Sequence, residues 1–85
     1  MSKALQIWSH TFCSEFDHLP AGVKQPIQDQ IDEMGRRLQS FPHHRLTGRP
    51  QFRLRGRDYR VIYTFDVQQG VIHLLYVGHR RDVYK

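Results

Sequence analysis

The residues best equipped for chemistry are arginines, and they come in three short groups. Arg45 and Arg49 stand in one stretch, Arg53, Arg55 and Arg60 in the next, and Arg80 and Arg81 near the end. A guanidinium group offers a planar fork of donors that matches phosphate, but it is essentially never deprotonated, so it neutralises charge without moving protons. Two neighbours could move them. His79 lies between Gly78 and Arg80, and a histidine titrating near neutrality among phosphate-binding arginines suits proton transfer in RNA cleavage. Tyr84 is the second candidate, with a ring that can also stack on a base. A solvated sheet face with unrelated arginines would show the same composition, but arginines sharing a face repel one another unless a polyanion is expected.

The other reactive side chains suggest less. His10 and His18 belong on a helix surface, His73 in mid-strand reads as a sheet histidine, and His43 and His44 follow Pro42 in a loop. Without further cysteine or carboxylate ligands beside them, no metal site is expected. No Gly-rich phosphate loop, Ser-His-Asp order or CxxC pattern occurs, and a chain of 85 residues leaves little room for a cofactor pocket, so none is expected.

The composition is that of one small globular domain over residues 1–85, with 39% hydrophobic and 12% aromatic residues. Such a chain hides roughly 60–65% of its unfolded surface. The net charge of +5 conceals an asymmetry. Residues 1–35 hold two lysines against five acids, a net of −3, whereas residues 36–85 hold ten arginines and one lysine against three acids, a net of +8. That bias favours a polyanionic partner: nucleic acid first, an acidic protein segment second, a membrane surface a distant third. The single cysteine, Cys13, excludes an internal disulfide and is expected to be buried on a helix. With no signal peptide and no apolar run near about 18 residues, the expected location is the cytoplasm.

These groups must be positioned by the following elements. Ala4 to Trp8 reads as a strand with Leu5, Ile7 and Trp8 available for burial, and Ser9 as the N-cap of a helix whose apolar stripe is Phe12, Phe16 and Leu19. Val23, Ile27, Ile31, Met34, Leu38 and Phe41 then follow at steps of three and four, a second helix with Pro26 in its first turn. The two helices are expected to form an antiparallel hairpin laid on the sheet. Ser40 to Pro50 reads as a loop. Gln51 to Asp66 is a hairpin turning at Gly56-Arg57-Asp58, where Gly accepts positive φ. Period-2 alternation puts Phe52 and Leu54 on one face and Arg53 and Arg55 on the other. In the second strand Tyr59, Val61, Tyr63 and Phe65 share the apolar face, opposite Arg60 and Ile62. Gln69-Gly70 turns the chain into a last strand, Val71 to Val77, and Gly78 to Lys85 closes it. The expected class is α+β, in the order β-α-α-β-β-β.

That order, Leu46-Thr47-Gly48 in the loop, the hairpin F-R-L-R-G-R-D-Y-R-V-I-Y and the ending V-G-H-R-R-D-V-Y together resemble the RelE/ParE superfamily of bacterial and archaeal toxins. The resemblance covers essentially the whole chain, and its specific part is residues 46–84. It implies a helical hairpin packed on an antiparallel-rich sheet, and a toxin held in check by an acidic cognate antitoxin. RelE-like members are metal-independent endoribonucleases that cut messenger RNA in the ribosomal A site and so block translation. On that pattern Arg60 and Arg80 hold the scissile phosphate, Tyr84 orients or stacks the nucleotide, and His79 completes the candidate catalytic set. Arg53, Arg55, Arg45, Arg49 and Arg81 become candidate RNA-binding residues. Two departures stand out: Arg53 and Arg55 replace lysines of the well-studied ribosome-dependent member, and the chain stops one residue after Tyr84. The alternatives are the ParE-like branch, which inhibits DNA gyrase without cutting nucleic acid, and an inactive RNA- or protein-binding member.

Overall fold

The computed structural model describes residues 3–56 and 58–81. β1 (Leu5–Trp8) leads into α1 (His10–Asp17) and α2 (Ala21–Arg36), and β2 (His44–Arg45), β3 (Phe52–Gly56), β4 (Tyr59–Asp66) and β5 (Val71–His79) follow. The five strands lie in the order β1-β5-β4-β3-β2. β1 runs parallel to β5, and every other pair is antiparallel. The expected α+β class and element order therefore hold, with β2 added inside the stretch read as a loop. Two residues carry no period, so nothing in the sequence marks that strand.

Ser9 caps α1 as expected, its Oγ accepting the Phe12 N–H at 2.9 Å. α2 departs from expectation at both ends. Pro26 is its sixth residue, beyond the first turn, and the Gly22 carbonyl that loses a partner lies on an exposed stretch open to water. The apolar stripe continues to Phe41, but the helix stops at Arg36 because Arg37 leaves helical geometry at φ −141°. The Gly35 carbonyl is taken by the Ala4 N–H of the strand side at 3.0 Å instead of by the next helical turn. Leu38 and Phe41 still pack on the core from the descending chain.

The core is one layer between the helices and one face of the sheet. Phe12, Ile27, Ile31 and Met34 meet Leu54, Val61, Tyr63, Ile72, Leu74 and Val77. α1 lies on β5 and α2 on β3. Each such side chain stabilises by about 1.5–3 kcal/mol when fully buried. Three burial expectations fail. Leu5 and Ile7 are 62% and 41% exposed, because β1 is an edge strand whose second face is covered by no element among the described residues. Trp8 does turn inward, edge-on to Phe12 at 4.8 Å. Cys13 is exposed, pointing off α1 beside the buried Phe12.

Two turns complete the frame. Gly70 has φ 65°, the left-handed conformation its turn requires. Gly56 does not have a positive φ. It pairs with Tyr59 as the last residue of β3, and a Cβ there would come within 2.8 Å of Gln30 Oε1, the end of a flexible side chain that can move aside, so neither φ nor packing demands glycine here. Between β4 and β5 the register shifts by one: Ile62 pairs with Tyr76 but Tyr63 with Leu74, leaving Leu75 as an extra, bulged residue.

Candidate nucleic-acid interface

Residues directly opposite in an antiparallel pair share a face. Tyr59, Val61, Tyr63 and Phe65 pack towards the helices, so the other face of β4 carries Arg60, Ile62 and Thr64. Pairing across the sheet extends this into rows. Arg55, Arg60 and Gly78 form one row; His44, Arg53, Ile62 and Tyr76 form the next; Thr64, His73 and Ile7 form a third. The cationic face read from the sequence is present, and Arg53, Arg55 and Arg60 share it.

Its texture differs from a bare solvated surface. Arg60 is only 8% exposed and Ile62 fully buried, while Arg55 is exposed and Arg53 intermediate. One Arg60 guanidinium N–H donates to the Tyr59 carbonyl at 3.0 Å, which fixes the direction of the fork. Arg55 stands directly across from Arg60. Like charges directly opposite across strands disfavour each other, so negative charge near this pair is stabilising. On Arg60's other side is Gly78, about 5.5 Å away between Cα atoms in such a pair, which places no side chain next to the arginine.

Arg80 begins the turn after β5. Its backbone N–H donates to the Asp58 carbonyl at 2.7 Å, and its guanidinium Nε lies 4.0 Å from the Asp58 carboxylate, with both side chains more than half exposed. The hairpin turn and the end of β5 are thereby tied together, which brings Arg80 to the Arg55–Arg60 end of the sheet. Arg81 is exposed beside it and its N–H donates to His79 Nδ1 at 3.3 Å.

The remaining candidates are placed differently. His79 pairs with Tyr59, not with an arginine, and its ring meets the Tyr59 ring edge-on at 5.5 Å. That is the face towards the helices, reached because the bulge at Leu75 reverses the alternation that His73 would otherwise continue. Arg45 pairs with Phe52 and so faces away from Arg53, and its Nε donates to the Arg49 carbonyl at 3.0 Å, which binds these two to their own loop. Tyr84 and Arg57 lie outside the described residues. Sequence reasoning missed His44, which pairs with Arg53, and Tyr76 and Gly78, which the bulge turns onto the arginine face.

His43, read as one of a loop pair, is a half-buried structural residue. Its Nε2–H donates to the Leu38 carbonyl at 2.7 Å, its Nδ1 accepts from the Tyr63 hydroxyl at 2.6 Å, and its ring stacks on Phe65 at 3.8 Å. Burial pushes the Tyr63 hydroxyl pKa well above its ordinary value. Among the described residues no group of three or more His, Cys, Asp or Glu side chains comes together as a metal cage. A cleft of about 900 Å³ lies between the end of α2 and the β4–β5 turn, at the opposite end of α2 from the hairpin turn, and includes none of these arginines. Among the described residues no helix is long and apolar enough to cross a membrane.

Comparison with known proteins bears on both fold and family. A family model described as the ParE toxin of a type II toxin-antitoxin system, parDE, matches residues 7–84. No curated protein matches. Among solved structures, the chain is similar to the toxin of the intact RelBE toxin–antitoxin complex of E. coli, with a TM-score of 0.77, 18% identity, and 89% of this chain and 95% of that chain covered. It is similar to the RelBE2 toxin–antitoxin complex of Mycobacterium tuberculosis, with a TM-score of 0.77, 20% identity and coverage of 96% and 97%. The archaeal RelE–RelB complex of Pyrococcus horikoshii OT3 gives a TM-score of 0.76, 20% identity and coverage of 96% and 100%. At these identities the structures share the fold.

Proposed function

The chain belongs to the ParE toxin family of type II toxin–antitoxin systems, within the RelE/ParE superfamily, and from that premise we propose that it is a ribosome-dependent endoribonuclease that cuts messenger RNA. The observation that carries this reading is the row Arg55–Arg60–Gly78: a nearly buried, backbone-anchored arginine with a glycine on one side and a second arginine directly across on the other. Such a group is preorganised for one phosphate. The 2′-oxygen attacks the adjacent phosphorus, the bond from phosphorus to the 5′-oxygen breaks, and a proton leaves the nucleophile while another reaches the leaving oxygen. Negative charge grows on the non-bridging oxygens, which Arg60 and Arg80 stabilise without any change of protonation. Arg53 and Arg55 neutralise the flanking backbone, and Arg45, Arg49 and Arg81 make outer contacts.

Proton transfer is assigned to Tyr84. His79, packed against Tyr59 on the other face, is assigned to shaping the turn that carries Arg80, through its Nδ1. Among the described residues the arginine face carries no lysine, so it needs the ribosome to present the RNA in line. The reaction takes no metal and belongs to the cytoplasm, where ribosomes are. The acidic segment of a cognate antitoxin masks the face, as its +8 half-chain charge invites. An Arg53, Arg60 and Arg80 triple-alanine protein that bound antitoxin as tightly as wild type would remove that part of the reading.

The family model favours a second reading, inhibition of DNA gyrase without nucleic-acid cleavage. Primer extension on messenger RNA translated in vitro separates the two, using wild type, Arg80→Ala and Tyr84→Phe with and without ribosomes. Ribosome-dependent cleavage at A-site codons that vanishes in both variants supports the nuclease. Intact message together with gyrase-linked DNA breaks supports the second reading.

A further inference from the structure

β5 outruns its neighbour. β1 pairs with it only as far as Trp8 opposite Leu74, yet β5 continues to His79. Arg80 N–H donates to Asp58 O, and antiparallel ladders alternate bonded and non-bonded pairs. Arg60–Gly78 is therefore a bonded pair and Val61–Val77 is not, so the Val77 N–H points away from β4 towards the side β1 has vacated. An unpaired strand edge leaves such groups without partners.

α1 supplies those partners. The Ser9 hydroxyl donates to the Leu75 carbonyl at 2.6 Å, the Ser9 N–H donates to the Leu74 carbonyl at 2.9 Å, and Glu15 Oε1 accepts the Val77 N–H at 3.0 Å. All three bonds bracket the bulged residue Leu75. The bulge decides which side chains reach the arginine face. With it, Tyr76 and Gly78 stand beside Ile62 and Arg60, and Val77 and His79 turn inwards. Without it the pairing that holds from Tyr63 to Asp66 would run on, placing Val77 against Arg60 and Gly78 against Tyr59. A valine side chain would then stand beside Arg60 in place of glycine, and the end of β5 would deliver Arg80 out of register.

We propose that Glu15, an exposed residue of α1, is a positioning residue for the phosphate site: by holding the Val77 N–H it fixes the bulge that sets Gly78 beside Arg60 and carries Arg80 to the same end of the sheet. A carboxylate suits the task because it accepts only, and a charge-assisted bond to a backbone N–H is about twice as strong as a neutral one. This rests on the nuclease reading for its catalytic consequence, while the structural claim stands apart from it.

The test uses the full chain with Glu15→Ala and Glu15→Gln, the glutamine retaining an oxygen that can accept the same N–H. In the free protein, amide exchange at Val77 and cross-strand nuclear Overhauser contacts between residues 60 and 78 report the bulge. On ribosomes, single-turnover cleavage reports the site. In Glu15→Ala, Val77 exchange is expected to accelerate about tenfold or more, and the 60–78 contacts to weaken. The cleavage rate at saturating ribosomes should fall about 10- to 100-fold, as small misplacements of a reacting centre do, with the half-saturating concentration little changed. Glu15→Gln restores all three.

Faster Val77 exchange with an unchanged cleavage rate overturns the positioning role. Unaltered exchange overturns the bond itself. A rate loss that glutamine does not restore, and that follows the loss of thermal stability, assigns Glu15 to stability alone and overturns the proposal. Should wild type not cut RNA, the nuclease reading fails, and the 60–78 contacts decide the remainder: their loss in Glu15→Ala upholds the bulge assignment, and their persistence overturns it.

Discussion

Replacing Tyr63 by phenylalanine isolates one buried hydroxyl, and its consequences can be worked out in both size and pH dependence. His43 spends its Nε2–H on the Leu38 carbonyl, so the neutral ring presents a bare Nδ1 that can only accept, and the Tyr63 O–H fills it. Phenylalanine preserves the ring packing against Phe52, Phe65 and His43. What disappears is the donor, and an acceptor is left without a partner beneath Tyr63's fully buried position. The expected cost is about 1–3 kcal/mol. Near the middle of that range the melting temperature falls by roughly 8–16 °C for a domain of this size.

The same hydroxyl makes the cost pH-dependent. Burial raises its pKa in the folded chain well above the ordinary 10.0, whereas in the unfolded chain it ionises near pH 10. Above that point the folded protein keeps a proton that the unfolded chain has released. The stabilisation is therefore whole below about pH 10 and is lost as pH rises further, at about 1.4 kcal/mol per pH unit. Tyr63→Phe has no such proton. The gap between the two proteins should stay constant from neutrality to about pH 10 and then close by about 1.4 kcal/mol over the next pH unit. Urea denaturation of both proteins across that range measures it. Two stability curves running parallel past about pH 11 would refute the reasoning, because the tyrosine would then be ionising in the folded chain as it does in the unfolded one.

Arg60→Lys keeps the charge but loses the anchored fork, and single-turnover cleavage on ribosomes is expected to drop about 10²–10³-fold with the fold retained by circular dichroism. Ile62→Ala tests how covered the arginine face is: as a fully buried side chain it should cost about 2–5 kcal/mol by denaturant unfolding, against well under about 1 kcal/mol for a residue on an open surface. Glu33 is paired with Arg36 and Arg37 at the end of α2, and its carboxyl is held below the usual range chiefly by the Arg36 hydrogen bond. Carbon-detected titration should show its midpoint below that of other exposed carboxylates and returning upward in Arg36→Ala.

Several features of the site could be read from neighbouring residues. Arg53 and Arg55 share a face because β3 alternates, Ser9 caps α1 because its hydroxyl reaches an N–H three residues on, and Gly70 turns the chain because it tolerates φ 65°. These follow from forces that act within a few residues, which is why they survive as pattern. The helix stripe that ran on to Phe41 shows the boundary of such reasoning: apolar spacing recorded that Leu38 is buried, but not that a strand would claim the Gly35 carbonyl and end the helix first.

The bulge, the burial of Arg60, the His43–Tyr63 pair and the inward turn of His79 have no local signature. They arise where segments far apart in sequence meet, Ser9 with Leu75 across 66 residues and Glu15 with Val77 across 62. A single inserted residue in β5 reverses every side chain after it, so the face on which Gly78, His79 and Arg80 emerge depends on where α1 returns to the sheet. Alternation along β5 alone would have put His79 among the arginines. The bulge instead puts Gly78 beside Arg60 and turns His79 towards Tyr59.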